Sequence, residues 1–242
     1  NIEGYKHLHE CGADFVTVFQ ETYNPKKYAE DHLRGNKRSL PYRFYAQERA
    51  LMGGFRGAGF GALLGLSEDF RKDAFATGLH IELTQQKFPE ADLAISVPRI
   101  RPFVNEENSD ADEHINKDSV HETQLLQVMC AHRIYHPQIS MTISTRERQG
   151  FRDSAVAICA TKISAGVHTD VGGHNKADEN ETETDAQFDI SDPRTVDQVH
   201  QALLENDLQP VTPISFTFKN AKNENFLCHR AKTYYRRQAS LF

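Results

Sequence analysis

Polar and charged residues gather just after short apolar runs, at Gln20-Glu21-Thr22-Tyr23, Arg99-Ile100-Arg101, Ser144-Thr145-Arg146-Glu147 and Thr169-Asp170. An arginine in such a place offers a planar fork that takes a carboxylate through two charge-assisted hydrogen bonds, a contact of roughly 1.5 to 3 kcal/mol. Arg146 suits that role, and the competing one is an ion pair with Glu147 or Asp153. A carboxylate directly after a strand, as at Glu21, accepts from ligand hydroxyl or amino groups or else ties down the strand end. Of Arg99 and Arg101, only one is expected to face inward while its neighbour snorkels outward. Ser164 lies on the last apolar run, where a hydroxyl reaches a ligand or packs as a small residue. Tyr23 and Tyr28 read as packing and loop residues.

Metal and dinucleotide chemistry find less support. The 12 histidines form no ligand set: His168 and His174 stand six apart across a glycine turn, with no third ligand at helical or hairpin spacing. Cys11, Cys130, Cys159 and Cys228 lie far apart and make no short-spaced pair, so a zinc, dithiol or iron–sulfur site within this sequence is not indicated. Cys130 and Cys159 sit in apolar helical patterns, where a thiol acts as a small hydrophobe. The run Gly53 to Gly61 is glycine-dense, but it leads into a strand instead of linking a strand to a helix N-terminus, so it fails as a phosphate-binding fingerprint.

The elements that must position these groups alternate. Phe15 to Phe19, Phe60 to Leu64, Leu93 to Val97, Ile139 to Ile143 and Lys162 to Val167 are nearly continuous apolar or β-branched runs, as in strands covered on both faces. Between them, Glu68 to Lys87 carries Phe70, Ala74, Gly78 and Ile81 at helical spacing behind Ser67 as a cap. Ser119 to Tyr135 opens with Ser119 and Glu122 in capping-box spacing, and Phe151 to Thr161 is a shorter helix. Strand, helix, strand at this spacing predicts right-handed parallel crossovers, in a doubly wound sheet or a (β/α) barrel. Polar groups at strand ends are where barrels place their chemistry.

With 242 residues, 38% of them hydrophobic and 26% charged, the chain can bury one large core, which excludes disordered and collagen-like classes. No apolar run nears the roughly 20 residues of a spanning helix. The opening Asn1 and the segment Ile2 to Glu10 lack a secretory signal, so the expectation is a cytoplasmic protein with reduced thiols and a sequence cut from a longer chain. Two acidic stretches, residues 105 to 122 and 178 to 192, hold seven acids each, so the rest of the chain is net basic despite a formal charge of −6. They read as solvated loops, and as polyanion-repelling they argue against a nucleic-acid role. After His168 the texture changes: the second acidic stretch precedes a helix opened by Asp192-Pro193 with Val196, Val199 and Leu203 on one face, then a possible edge strand at Ile214 to Phe218 and a basic tail with Arg230, Lys232, Arg236 and Arg237.

Several of these segments, in order, resemble one family. Phe19-Gln20-Glu21-Thr22-Tyr23-Asn24-Pro25, Gly61-Ala62-Leu63-Leu64-Gly65-Leu66, Val97-Pro98-Arg99-Ile100-Arg101-Pro102, Ser144-Thr145-Arg146-Glu147, Phe151-Arg152-Asp153 and Ser164-Ala165-Gly166 are similar to the C-terminal half of the radical S-adenosylmethionine tyrosine lyases of thiamine synthesis, the 2-iminoacetate synthases, including the region associated with biotin and thiamin synthesis. The likeness runs from near Gly12 to about Val211, and residues from about Lys222 match nothing. It implies an α/β fold: the last five parallel strands of a (β/α) TIM-type barrel over residues 1–168, with a C-terminal extension over 169–242. It implies cleavage of the Cα–Cβ bond of tyrosine to 2-iminoacetate and p-cresol with S-adenosylmethionine and a [4Fe–4S] cluster, whose Cys-x3-Cys-x2-Cys loop is expected upstream of Asn1. Arg146 and Ser164 would then bind tyrosine, and Glu21 with the inward one of Arg99 and Arg101 would bind S-adenosylmethionine. Thiazole synthase and a flavodoxin-type reductant are the implied partners, with no nucleic acid and no membrane. Two other functions remain open: a non-catalytic remnant or docking module without the cluster-binding half, and a hydrogenase-maturation-like tyrosine lyase, disfavoured because Cys228 alone cannot make that enzyme's C-terminal cysteine cluster.

Overall fold

The computed structural model describes residues 1–100, 120–167 and 190–211, and the residues from Asn1 to Pro210 form one compact unit. Five strands, β1 (Phe15–Thr17), β2 (Gly57–Phe60), β3 (Asp92–Ser96), β4 (Ser140–Ile143) and β5 (Lys162–Ile163), make one sheet in the order β1-β2-β3-β4-β5, every pair parallel. A doubly wound sheet would reverse its strand order at a switch point. The unbroken sequential order is that of a barrel segment, with α5 (Phe70–Lys87), α6 (Glu122–Tyr135) and α7 (Gln149–Ile158) as the crossovers. Curvature agrees. Laid flat, the outer strands would stand about 19 Å apart at 4.8 Å per step, yet the Lys162 ammonium of β5 lies 5.4 Å from the ring centre of Phe15 on β1.

Alternation along each strand divides the two faces. One row, Ala58, Phe60, Leu93, Ile95, Met141 and Ile143, is buried in a core shared with Ala74 and Ile81 of α5, Leu125 and Met129 of α6, and Phe151 and Ala155 of α7. Each large member contributes about 1.5 to 3 kcal/mol through burial. Over β2, β3 and β4 the other row is mostly small or hydroxylic: Gly57, Gly59 and Gly61, then Asp92, Ala94 and Ser96, then Ser140, Thr142 and Ser144. A Cβ on Gly59 would come within 2.7 Å of Thr17 Oγ1, so glycine here is a packing requirement.

Several boundaries differ from the expected ones. The second strand begins at Gly57, because glycines carry no apolar signal although they pair with Phe15 and Asp92. Beyond it the parallel pairing continues as single bridges, Glu21 with Ala62 and Leu64 with Arg99. The long α5 is capped by Asp69, whose carboxylate accepts from the Arg71 amide, and not by Ser67. His121 and Gln124 form the capping box of α6; Ser119 lies outside the described residues. Helix α8 (Val196–Glu205) is opened by Thr195 and Gln198, because Asp192 is committed elsewhere. The remaining helices are α1 (Ile2–Glu10), α2 (Pro25–Asp31), α3 (Leu40–Phe44) and α4 (Ala46–Met52). His168, His174, the 214–218 segment, Cys228 and the basic tail lie outside the described residues.

Candidate active site

The C-terminal ends of the strands form the polar rim. After β1 the register slips: Thr17 pairs with Gly59, but Glu21 pairs with Ala62, so β1 carries one extra residue against β2, the geometry of a bulge. Glu21 sits in the left-handed region at φ 70, with its carbonyl accepting from Leu63 N at 2.7 Å. Its neighbours are turned inward and held. Gln20 is buried and donates to Gln47 at 2.8 Å, and Gln47 in turn donates to the carbonyls of Val18 and Gly59. Asp73 of α5 accepts from Thr22 Oγ1 at 3.0 and 2.9 Å and from the Tyr23 amide at 2.7 Å. The Tyr23 hydroxyl lies 2.9 Å from His80 Nδ1. Burial pushes the Asp73 carboxyl and the Tyr23 phenol up and the His80 imidazole down to about 4, so His80 is neutral in this layer. Glu21 alone of the four faces the rim, with Lys37 at 3.3 Å and Arg43 at 3.6 Å. A strained backbone held by a buried network is a way to present one carboxylate.

Arg99 is engaged by Glu147 and Val120. Residues two apart on an extended chain share a face, so alternation by itself gives no reason for Arg99 and Arg101 to point to opposite sides. Arg99 continues the row of Leu93, Ile95 and Val97 and is buried on the helix side, where it donates to both oxygens of Glu147 at 2.8 and 2.5 Å and to Val120 O at 2.7 Å. Those bonds occupy Nε and both terminal nitrogens of the guanidinium in tying the end of β3 to the turn after β4. Arg101 lies outside the described residues.

Arg146 is half-buried just past β4, between the buried Thr145 and Glu147, and its amide donates to Ser144 Oγ at 3.2 Å. The two acids that the sequence offers beside it are engaged by other arginines, Glu147 by Arg99 and Asp153 by Arg194 at 2.8 Å. Ser164 follows β5; its hydroxyl donates to Ile143 O at 3.2 Å and its carbonyl accepts from Arg152. Arg152, fully buried, also pairs with Asp192, and Arg194 closes the set onto both Asp192 and Asp153. Burial opposes ionisation of Asp192, but hydrogen bonds from Arg194 and the charge of Arg152 hold its carboxyl below the usual range. Asp192, expected as a solvated acid and helix opener, is instead a buried counter-ion that fastens the segment before α8 to α7 and β5. Its partners stand 40 and 2 residues away, and only the nearer is visible as a spacing.

Glu21, Arg146 and Ser164 thus lie on one edge of the sheet, each after a different strand. Gln47, Asp73 and His80, the groups behind Glu21, carried no local signal because they reach it from helices 26 to 59 residues along the chain. Their donor set suits an amino acid with its carboxylate, or a nucleoside's hydroxyls. For an iron–sulfur cluster the described residues do not suffice: no three His, Cys, Asp or Glu side chains among them could hold a metal ion. Cys11 is exposed on α1, and Cys159 is buried, its thiol pushed up to about 12 by burial and by Cys130.

Comparison with known proteins gives a consistent picture. Residues 96–209 match the Biotin and Thiamin Synthesis associated domain. The chain is 35% identical over 209 residues to 2-iminoacetate synthase of Escherichia coli K12, and 35% over 210 residues to that of Salmonella typhimurium LT2; each match covers 86% of this chain and 52% of the relative. It therefore spans about half the length of the curated relatives it matches. Among solved structures, HydG, a maturase of the [FeFe]-hydrogenase, superposes with a TM-score of 0.77 at 29% identity over 96% of this chain and 48% of its own. HydG from Carboxydothermus hydrogenoformans does so at 0.73, with 27% identity over 92% and 48%.

Proposed function

We propose that the chain is the C-terminal portion of a radical S-adenosylmethionine 2-iminoacetate synthase, in keeping with its match to such enzymes over about half their length, and that its strand-end rim binds tyrosine and S-adenosylmethionine for cleavage of the tyrosine Cα–Cβ bond to 2-iminoacetate and p-cresol, in thiamine thiazole synthesis. The observation that supports this most is the placement of Glu21, Arg146 and Ser164 on one edge of five sequential parallel strands, above a concave face that is mostly small or hydroxylic over its middle strands. Arg146 grips the substrate carboxylate in two-pronged fashion, and Ser164 stands beside it. Glu21, held outward by the Asp73, Gln47 and His80 layer, accepts from the ribose hydroxyls or the amino group of S-adenosylmethionine. Bound S-adenosylmethionine would supply the hydrogen-abstracting radical. The residues described here do not fit the [4Fe–4S] cluster, so no step is assigned to it. What this chain contributes is orientation of a zwitterionic amino acid and exclusion of water.

Thiazole synthase as recipient of the unstable imine, a flavodoxin-type reductant and a cytoplasmic location belong to the same reading; among the described residues no helix is long and apolar enough to cross a membrane. The higher identity to 2-iminoacetate synthases than to the hydrogenase maturases favours thiamine chemistry over the maturation-type tyrosine lyase. The test is Arg146→Lys in the anaerobically assembled holoenzyme. Lysine keeps the charge but loses the fork, so tyrosine affinity is expected to fall roughly tenfold or more, a loss of about 1.4 kcal/mol or above, with S-adenosylmethionine binding unchanged. Unchanged tyrosine affinity in a well-folded variant removes Arg146 from the site; equal weakening of both ligands assigns it a structural role.

A further inference from the structure

Lys162 opens β5 on the concave face. Its neighbour Ile163 packs against the core behind the sheet, its register partner is Thr142, and its ammonium crosses the concavity to stand 5.4 Å over the ring of Phe15. Phe15 belongs to the same face, since a Cβ on Gly57 would touch its ring. Among the described residues Lys162 forms no ion pair, although most other charged groups at the strand ends, Arg56, Arg99 and Glu21 included, are paired. An ammonium inside a barrel curve, with an aromatic ring but no carboxylate against it, is a donor set aside for an oxygen ligand.

Its depth selects the ligand. Lys162 is two residues before Ser164, which directly follows β5, so along an extended chain the two share a face and Lys162 lies about 6.6 Å further in, close to the length of a tyrosine side chain. With the amino-acid head at the rim beside Arg146 and Ser164, the ring points down past Ser96 and Thr142 towards Lys162 and Phe15. We propose that Lys162 is the specificity-determining residue for the phenol: its ammonium donates to the phenolic oxygen while Phe15 packs against the ring. The inference rests on the tyrosine reading given above.

The experiment measures equilibrium binding of L-tyrosine, L-phenylalanine and S-adenosylmethionine to the anaerobically assembled holoenzyme and its Lys162→Met and Lys162→Gln variants. A site that hydrogen-bonds a substrate hydroxyl rejects the analogue lacking it strongly. The wild type is therefore expected to prefer tyrosine to phenylalanine by at least a hundredfold. Lys162→Met lowers tyrosine affinity tenfold or more and leaves phenylalanine and S-adenosylmethionine within twofold. Lys162→Gln, which keeps an uncharged donor, falls between and carries the test if the methionine variant does not fold. A merely structural lysine would weaken both amino acids together. A tyrosine-to-phenylalanine ratio unchanged in the folded variants overturns the role of Lys162 while leaving the tyrosine reading intact. A wild type that binds no tyrosine overturns both.

Discussion

Removing Arg99 separates a structural arginine from a cofactor ligand. Arg99→Met deletes two hydrogen bonds to Glu147 and one to Val120 O, and it leaves the Glu147 carboxylate, whose side chain is only 4% exposed, without its main counter-ion. Breaking a buried pair from one side costs about 3 to 5 kcal/mol, whereas replacing both partners by apolar groups of similar size is often neutral. For a chain of this size each kcal/mol moves the thermal midpoint by about 2 to 4 °C, so the single variant should melt about 6 to 20 °C lower and Arg99→Met/Glu147→Leu should recover most of that. Differential scanning fluorimetry with urea titration at neutral pH measures both, and isothermal titration of S-adenosylmethionine into the folded double variant gives the second readout. Since the Arg99 donors are spent on Glu147 and Val120, cofactor affinity in the double variant should match the wild type. A double variant that regains stability but loses S-adenosylmethionine binding would refute the assignment, as would a single variant that loses less than about 1 kcal/mol.

Two further outcomes follow from the buried layer and the rim. His80 and His132 are both held down to about 4 by burial, below the unfolded value near 6.5. The unfolded chain then binds more protons between those values, so stability is complete above pH 6.5 and falls as pH drops towards 4 by about 1.4 kcal/mol per pH unit per histidine; urea midpoints from pH 7 to 5 should show this slope, and His80→Gln should reduce it by about half. At Glu21, where φ is 70, Glu21→Gly should be more stable than Glu21→Ala by about 1 kcal/mol, with S-adenosylmethionine affinity lowered equally in both; an alanine variant as stable as the glycine one contradicts the left-handed backbone.

How much of this is legible without coordinates depends on which face a residue occupies. The helix-facing row writes a strong signal: Leu93 and Ile95, then Met141 and Ile143, are apolar because they enter one core, and the structure has both the parallel pairing expected from their spacing and the sequential order implied by the family resemblance. The strand-end clusters are legible too, since a polar group straight after an apolar run has nowhere else to go. Pairings across 40 to 51 residues leave no period. Arg99 with Glu147, Asp73 with Thr22 and Arg152 with Asp192 are set by which elements become neighbours, so Arg99 could be read as a ligand and Asp192 as a solvated acid.

The concave row is the faintest of all. Gly57, Gly59 and Gly61 carry no hydrophobic pattern and displaced the expected start of β2, and Lys162 at the head of an apolar run looked like a boundary. Small side chains there are what close packing of β1 on β2 demands, since a Cβ on Gly59 would collide with Thr17 and one on Gly57 with the Phe15 ring. Weak strand propensity on one face is thus tolerated because the opposite face supplies the burial energy. Local rules are weakest where contacts across strands set the residue, so the row least legible as structure is the one on which the proposed site is built.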